Sequence, residues 1–481
     1  MRRAPHIYDD LHGIVNLLPD EMRLVNSPWF QRLRNIRQLG LAHMIFPGAE
    51  HTRFAHSIGV FHLAARIAER FQDHLKDTNK EVAARELRAA ALLHDIGHFP
   101  FSHTLESVYK KAAVRTPEKW AKAKSAGPTL PSASSEAHTD DAAPHEKPSR
   151  HIIENTNGDE GITRILRESS PSLDPARVGE IVVAAHEDVL LNQIVKSDLD
   201  VDQLDYLLRD AKATGSSYGQ YDLGYLIECL EVVYLEGKPV LCVTMQGLHS
   251  VEHYVLAKYF YYLCILYQKT RCIAEGILQA VASDLIEKGL IPSRDEVMAK
   301  VADGTFCGFD DSFIWARLRE AERDEGVASD VRCAIDMLIR RRFPKLVSET
   351  HRTLRGSDEL PADVRRGPSE APNWNPVLRH AVELQCHQEF CVLKRVLKPG
   401  TTLKEMLGTN PEPIRLLVTE PYAIPKKRPS VAVQDRQGNP AGRLILLQSL
   451  QDSVVGKLAG QTTHIARVYR PPSTPVASEE P

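Results

Sequence analysis

The sequence predicts a mainly α-helical protein that ends in a small α+β module, and three observations carry this. Residues 56–75 place Val60, Leu63, Ala64, Ile67, Ala68 and Phe71 on one stripe, the period of an amphipathic helix. Residues 81–97 repeat that pattern and close on Gly97, a residue suited to a helix stop. Near the C-terminal end the character changes. Short apolar runs at 413–421, 430–435, 443–448 and 464–470 alternate with turn signals such as Gln437-Gly438-Asn439-Pro440, as strands do.

Between these ends, residues 195–210 and 249–289 also read as helices. Tyr and Leu crowd the middle of the second, so it is expected to be long and buried. Residues 115–150 are rich in Pro, Ser and Ala and poor in large apolar side chains, which predicts a flexible insert. Residues 351–376 read as a polar linker and 471–481 as a disordered tail. The expected division is a helical core over 1–350 and an α+β module over 377–470.

Composition bounds the function. A chain of 481 residues with 43% hydrophobic and 26% charged residues is ordinary for a globular protein and excludes collagen-like, wholly disordered and disulfide-dense classes. Sixty basic residues against 63 acidic ones give a net charge of −3, so nucleic acid is not expected as the main partner. Eight cysteines without a CxxC pair predict a reduced, cytoplasmic protein. Cys386, His387 and Cys391 lack a second half-site, so zinc is not expected there. No apolar run reaches membrane-spanning length, and no apolar stretch follows the basic Met1-Arg2-Arg3.

The chemistry-bearing residues are His and Asp. One predicted helix opens on His51-Thr52-Arg53-Phe54-Ala55-His56, and another ends in His94-Asp95-Ile96-Gly97-His98, followed by His103. A third segment runs from Asp198 through Asp200, Asp202 and Asp205 to Tyr206. The apolar run Ala89–Leu93 stops abruptly at His94-Asp95, and burying that pair is costly unless something neutralises it. A divalent metal does so, imidazole nitrogen suiting transition metals and carboxylate oxygen suiting Mg, Mn or Fe(II). Any one of these residues is unremarkable alone. Asp198, Asp200 and Asp205 are expected to be solvated or capping residues around Asp202.

The ordered set His56, His94-Asp95 and Asp202 resembles the H…HD…D signature of HD-domain metal phosphohydrolases. Within them the chain resembles the deoxynucleoside triphosphate (dNTP) triphosphohydrolases. That resemblance rests on Ile7 to Gly13, Phe30 to Gly40, Phe46 to Ala49 and the Asp200–Asp210 block, continued by Thr214-Gly215 and Tyr218-Gly219. It implies an HD-domain helical core, a divalent metal (Mg, Mn, Fe or similar) on His56, His94, Asp95 and Asp202, and a homo-oligomer. It implies His98, His103 and His145 as catalytic histidines, with Glu106 or Glu146 as carboxylate partner. Gln38, Leu39, Arg53, Tyr206, Asp210 and Lys258 then contact substrate, Leu39 crowding the sugar 2′ position. Gln31, Arg34 and Arg467 match a nucleotide-activator site. The implied reaction is attack of water at the α-phosphorus, releasing deoxynucleoside and inorganic triphosphate, with a histidine protonating the 5′-oxygen.

The pattern also departs from the family. Gln203 stands where a phosphate-contacting lysine is expected, Asn26 where an acidic residue reads guanine, Leu266 in place of a sugar-packing tyrosine and Gln268 in place of a histidine. These departures keep two alternatives open. One is an HD phosphohydrolase for another nucleotide (NTP, NMP or alarmone), and the other is a nucleotide-sensing or nucleic-acid-binding scaffold.

Overall fold

A ribbon of two short strands, β1 (His6–Asp9) and β2 (Gly13–Asn16), leads into the helical core. Helix α1 (Arg53–Phe71) forms because Ile58, Val60, Phe61, Leu63, Ala64 and Ile67 are all buried and line more than one of its faces. It packs between α2 (Lys80–Leu93) and the helix carrying Asp202. The core continues through α3 (His103–Ala112), α4 (Glu146–Asn155) and α5 (Val201–Thr214). The computed structural model describes residues 4–75, 80–112, 145–355, 376–385, 387–390, 414–417, 430–434, 437–438, 440–446, 453–458 and 461–470.

Several predicted boundaries move. The helix expected over 81–97 ends at Leu93, four residues before Gly97. His94 Nδ1 donates to the Ala91 carbonyl (2.9 Å), and turns closed by Ile96 N to Leu93 O and His98 N to Asp95 O carry the chain away. The helix expected from 195 starts at Val201, because Asp200 caps it by accepting from Gln203 N (2.8 Å). The helix expected over 249–289 is two helices, α6 (Leu248–Tyr261) and α7 (Lys269–Glu287), separated by a π-helical turn over Tyr262–Leu266. Gln268 enforces the break: its Oε1 accepts from Thr270 N (2.7 Å) and Arg271 N (2.9 Å) and so starts α7 afresh. Of the expected insert, residues 115–144 lie outside the described residues; its end is not loop, since α4 begins at Glu146.

Two sheets follow. β3 (Leu230–Leu235) and β4 (Lys238–Thr244) form a hairpin that was not read in the sequence, turning on Glu236 and Gly237, both with positive φ. They close a barrel with β7 (Ile414–Leu417), β9 (Pro440–Leu446) and β8 (Ser430–Gln434), so the strand-like runs of the C-terminal module share a sheet with the core segment. A second sheet has the order β5 (Lys345–Arg355), β10 (Gln461–Arg470), β6 (His387–Phe390), all antiparallel. β5 replaces the start of the expected 351–376 linker, because its residues pair along the length of β10; residues 356–375 and the tail 471–481 lie outside the described residues. One continuous hydrophobic core runs from Val15 through both sheets to Ile445, Ile465 and Tyr469. Among the described residues, no helix is long and apolar enough to cross a membrane.

Gly59 sets how closely α1 and α5 approach. A Cβ there would meet Asp205 Oδ1 at 1.9 Å and Arg209 Nη2 at 2.4 Å, a collision with two buried, paired groups. Gly59→Ala is therefore expected to cost about 1–3 kcal/mol of stability through overpacking. Its urea midpoint should fall accordingly, and an unchanged midpoint would show that the crossing has slack.

Candidate metal centre

The site is built where α1, the turn after α2 and the start of α5 meet. His56, on the first turns of α1, is fully buried. Its Nδ1 donates to Asp205 Oδ2 (2.8 Å), which turns Nε2 toward Asp202 Oδ1 at 3.0 Å and Asp95 Oδ2 at 3.9 Å. His94 has Nδ1 engaged by the Ala91 carbonyl, which leaves its Nε2 facing the same space, 3.5 Å from Asp95 Oδ2. His56, His94 and Asp202 offer ligand-type atoms all within 4.8 Å of one another. The Asp202 side chain is 40% exposed, so the cluster opens to solvent.

The fit to a cation is tested by the two imidazoles. Both Nε2 atoms are buried without a hydrogen-bond partner and aim at carboxylates. A lone pair facing a carboxylate oxygen at 3.0 Å requires a proton or a cation between them. In the protonated form, burial works against the charge on His56, but Asp202 and Asp205 outweigh it and push the imidazole up to about 10. Burial alone would also raise Asp95. Arg53 outweighs it, with smaller help from His94, His98 and His56, and holds that carboxyl well below its usual range. Arg53 Nη1 donates to Asp95 Oδ2, and its Nε donates to Ser102 Oγ (2.8 Å). His56, His94, Asp95 and Asp202 thus converge, and two neutral imidazoles with two carboxylates suit a divalent transition metal or Mn(II).

Asp205 is no solvated or capping residue: it is fully buried. Its carboxylate accepts from His56 and from His12 Nε2 (2.7 Å), and Arg209, one turn along α5, donates from Nε (2.7 Å) and Nη2 (3.0 Å). Arg209 is held in turn by Asp9 and Asp10 of the N-terminal ribbon. The Asp205–Arg209 spacing of four residues was the available signal, since such pairs share a helix face.

A second group adjoins the first. Glu106 accepts from His103 Nδ1 (2.6 Å) and from His145 Nδ1 (2.7 Å), and His98 stacks on His145 with ring centroids 4.4 Å apart. Burial alone would raise Glu106; the bonds from both imidazoles hold it below the usual carboxylate range. Burial opposes charge on His145, but Glu106 outweighs it and raises the imidazole. The expected His145–Glu146 pair does not form. Placing Glu146 in the first turn of α4 sends its carboxylate to Lys196, and Glu106 takes its place. His145 reaches the site because α4 lies against Gly97, where a Cβ would meet Ser149 N at 2.2 Å.

The turn bearing these residues is fixed by two groups absent from the sequence expectations. Arg32, buried and stacked on Phe306, donates to the carbonyls of Ile96 (3.3 Å), His98 (2.5 Å) and Phe309 (2.9 Å). Asp311 accepts from Phe101 N (2.6 Å) and Arg37 N (3.0 Å), bridging two loops.

The remaining expected residues lie around this centre. Asp210 accepts from His51 Nε2 (2.6 Å) and Tyr261 Oη (2.5 Å), and Tyr206 lies beside the Tyr261 ring at 5.5 Å. Gln38 is buried with Oε1 free of a partner, Leu39 is buried in the core, and Lys258 is buried on α6. Arg34 Nε donates to Gln31 Oε1 (2.8 Å), whereas Arg467 on β10 pairs with Glu349 (2.6 Å) and Tyr267 O. Gln203, in the position of the expected lysine, donates to Ser197 O (2.5 Å) and Asp200 Oδ2 (3.0 Å).

Comparison with known proteins agrees with this geometry. Residues 53–210 match the family model described as the HD domain. The matched stretch runs from the start of α1 into α5 and takes in His56, His94, Asp95 and Asp202. It is 29% identical over 313 residues to the uncharacterized protein MJ1154 of Methanocaldococcus jannaschii, covering 65% of this chain and 57% of that one. It is 28% identical over 260 residues to the human deoxynucleoside triphosphate triphosphohydrolase SAMHD1, covering 49% of this chain and 37% of the enzyme. The crystal structure of the phosphohydrolase BT4208 from Bacteroides thetaiotaomicron has the same fold, with a TM-score of 0.60 at 20% identity, covering 97% of this chain and 100% of that one. The chain spans about half the length of the first curated relatives it matches.

Two predictions follow from the geometry. His94→Ala removes one of the two imidazoles of the cluster and should reduce bound metal, measured by elemental analysis after dialysis, to a trace of the wild-type ratio. Asp205→Asn keeps the shape but loses the charge that orients His56; a loss of about 10–100-fold in metal affinity is expected. Wild-type affinity in a folded Asp205→Asn variant would show that His56 needs no anchor.

Proposed function

We infer that the protein is a metal-dependent dNTP triphosphohydrolase that releases deoxynucleoside and inorganic triphosphate. The observation that carries this reading is the convergence of the buried, partnerless Nε2 atoms of His56 and His94 with Asp95 and Asp202, beside a carboxylate-bridged histidine pair. A bound divalent ion supplies positive charge that offsets the phosphates and eases deprotonation of water. The chain's own residues do the rest. Asp205 orients His56, and Arg53 fixes Asp95. Glu106 holds a proton on Nδ1 of His145 and of His103. Water adds at the α-phosphorus, the bond to the 5′-oxygen breaks, and that oxygen takes a proton from this cluster. His145 is the better placed donor, since its side chain is 13% exposed against 70% for His103 and its Nε2 lies 4.0 Å from Asp95 Oδ1.

The finer assignments follow from the family resemblance: Gln38, Leu39, Tyr206, Asp210 and Lys258 for substrate, and Gln31, Arg34 and Arg467 for a nucleotide activator. A cytoplasmic homo-oligomer belongs to the same reading. The deciding experiment incubates metal-loaded protein with dNTPs, NTPs, nucleoside monophosphates and an alarmone and separates the products by chromatography. Deoxynucleoside plus triphosphate is the expected result. Turnover of the other substrates alone would replace the reading with another nucleotide phosphohydrolase, and absence of all turnover with a scaffold.

Sugar selectivity gives a sharper test. Leu266 lies in the π-helical turn and Gln268 is committed to capping α7, so neither supplies the phenol or imidazole of the family pattern. An apolar wall leaves a buried 2′-hydroxyl unpartnered, at a cost of about 1–3 kcal/mol. Wild type should favour dATP over ATP by roughly the 10–100-fold this implies, and Leu266→Tyr should widen the ratio of the two kcat/KM values.

A further inference from the structure

Beside the first cluster lies another set of ligand-type atoms. His98, His103, Glu106 and His145 each offer one, all within 4.8 Å of one another. His98 is fully buried and its Nε2 has no hydrogen-bond partner. Glu106 is buried and fixed between two imidazoles, whereas the His103 side chain is 70% exposed and gives the cluster a path to solvent. Asp95 stands between the two sets, with Oδ2 toward His94 (3.5 Å) and Oδ1 toward His145 Nε2 (4.0 Å).

We propose that His98, His103, Glu106 and His145 form a second site for a divalent transition metal, and that an ion bound there inhibits turnover. Three imidazoles and one carboxylate are a donor set for Zn(II) or Co(II), which take four ligands at about 2.0–2.2 Å. Donor atoms in such a shell lie closer together than 4.8 Å, and the exposed His103 can swing inward to close the difference. An ion held by His145 occupies a ring nitrogen of the imidazole that the proposed reaction uses as proton donor, and so takes that residue out of the reaction. The inhibitory consequence thus rests on the acid–base role inferred above, whereas the binding site itself does not.

Ion counting on the full chain separates the two. Protein stripped with a chelator and dialysed against Co(II) should hold two ions per chain, with visible absorption bands from a four-coordinate site. His103→Ala combined with His145→Ala should hold one ion and lose those bands, while Asp202→Ala should keep them. His103 is exposed, so His103→Ala alone is expected to fold, and it should weaken the second ion at least tenfold. One ion in wild type, or two in the double variant, overturns the site. Zn(II) added to Mn(II)-loaded protein should cut dNTP turnover at least tenfold over the range that fills the second site. Filling without a fall overturns the inhibition. Absence of any nucleotide turnover before Zn(II) is added would overturn the inhibition along with the proposed activity, while the ion count would still decide the site.

Discussion

The buried carboxylate of Asp205 is the constraint on which the site depends. Placing an ion at the crossing of two helices carries a desolvation cost of several kcal/mol, recovered only if its lone pairs are well filled. Arg209, His56 and His12 fill them, and the outcome is a carboxyl held well below its usual range. Each partner brings an element with it. Arg209 ties in the N-terminal ribbon through Asp9 and Asp10, His12 ties in the turn between its strands, and His56 ties in α1. The Nε2 atom of His56 is thus aimed at Asp202 by the same interaction that seats the ribbon on the core.

From that anchor the chemistry extends along one short turn. Asp95 and His98 lie on the segment after α2, whose carbonyls Arg32 grips and whose far end Asp311 clamps. Burial pushes Asp311 up to about 6, although the two backbone amides it accepts from oppose this. The turn brings Asp95 within reach of both clusters, so the residue that faces His56 and His94 on one side faces His145 on the other. His145 itself arrives from α4, distant in sequence, because Gly97 lets the two backbones touch.

The break between α6 and α7 shows how one residue redirects local propensity. The run from Val251 to Ile286 has the apolar content of a single buried helix, yet Gln268 folds its amide back onto Thr270 and Arg271. The π-helical turn that precedes it sets Tyr262 and Tyr267 beside each other, with ring centroids 6.3 Å apart.

Apolar periodicity in the sequence determined that α1 and α2 exist, and the strand runs near 430–434 and 461–470 were legible from alternation and turn residues. The set His56, His94, Asp95 and Asp202 could be picked out of the sequence only as an ordered set, through its resemblance to the H…HD…D signature, since the His-Asp pair that ends an apolar helix decides nothing by itself. Three matters lay beyond the sequence. That Glu106 rather than Glu146 serves His145 depends on which way the first turn of α4 faces. That Asp205 is an anchor rather than a solvated residue depends on Gly59 allowing α1 to lie against α5. That β3 and β4 close a barrel with β7, β8 and β9 depends on pairing across some 200 residues of chain. In each case the deciding energy is a hydrogen bond or a close contact between segments remote in sequence. Local pattern carries no record of such contacts; they exist only once the chain is packed.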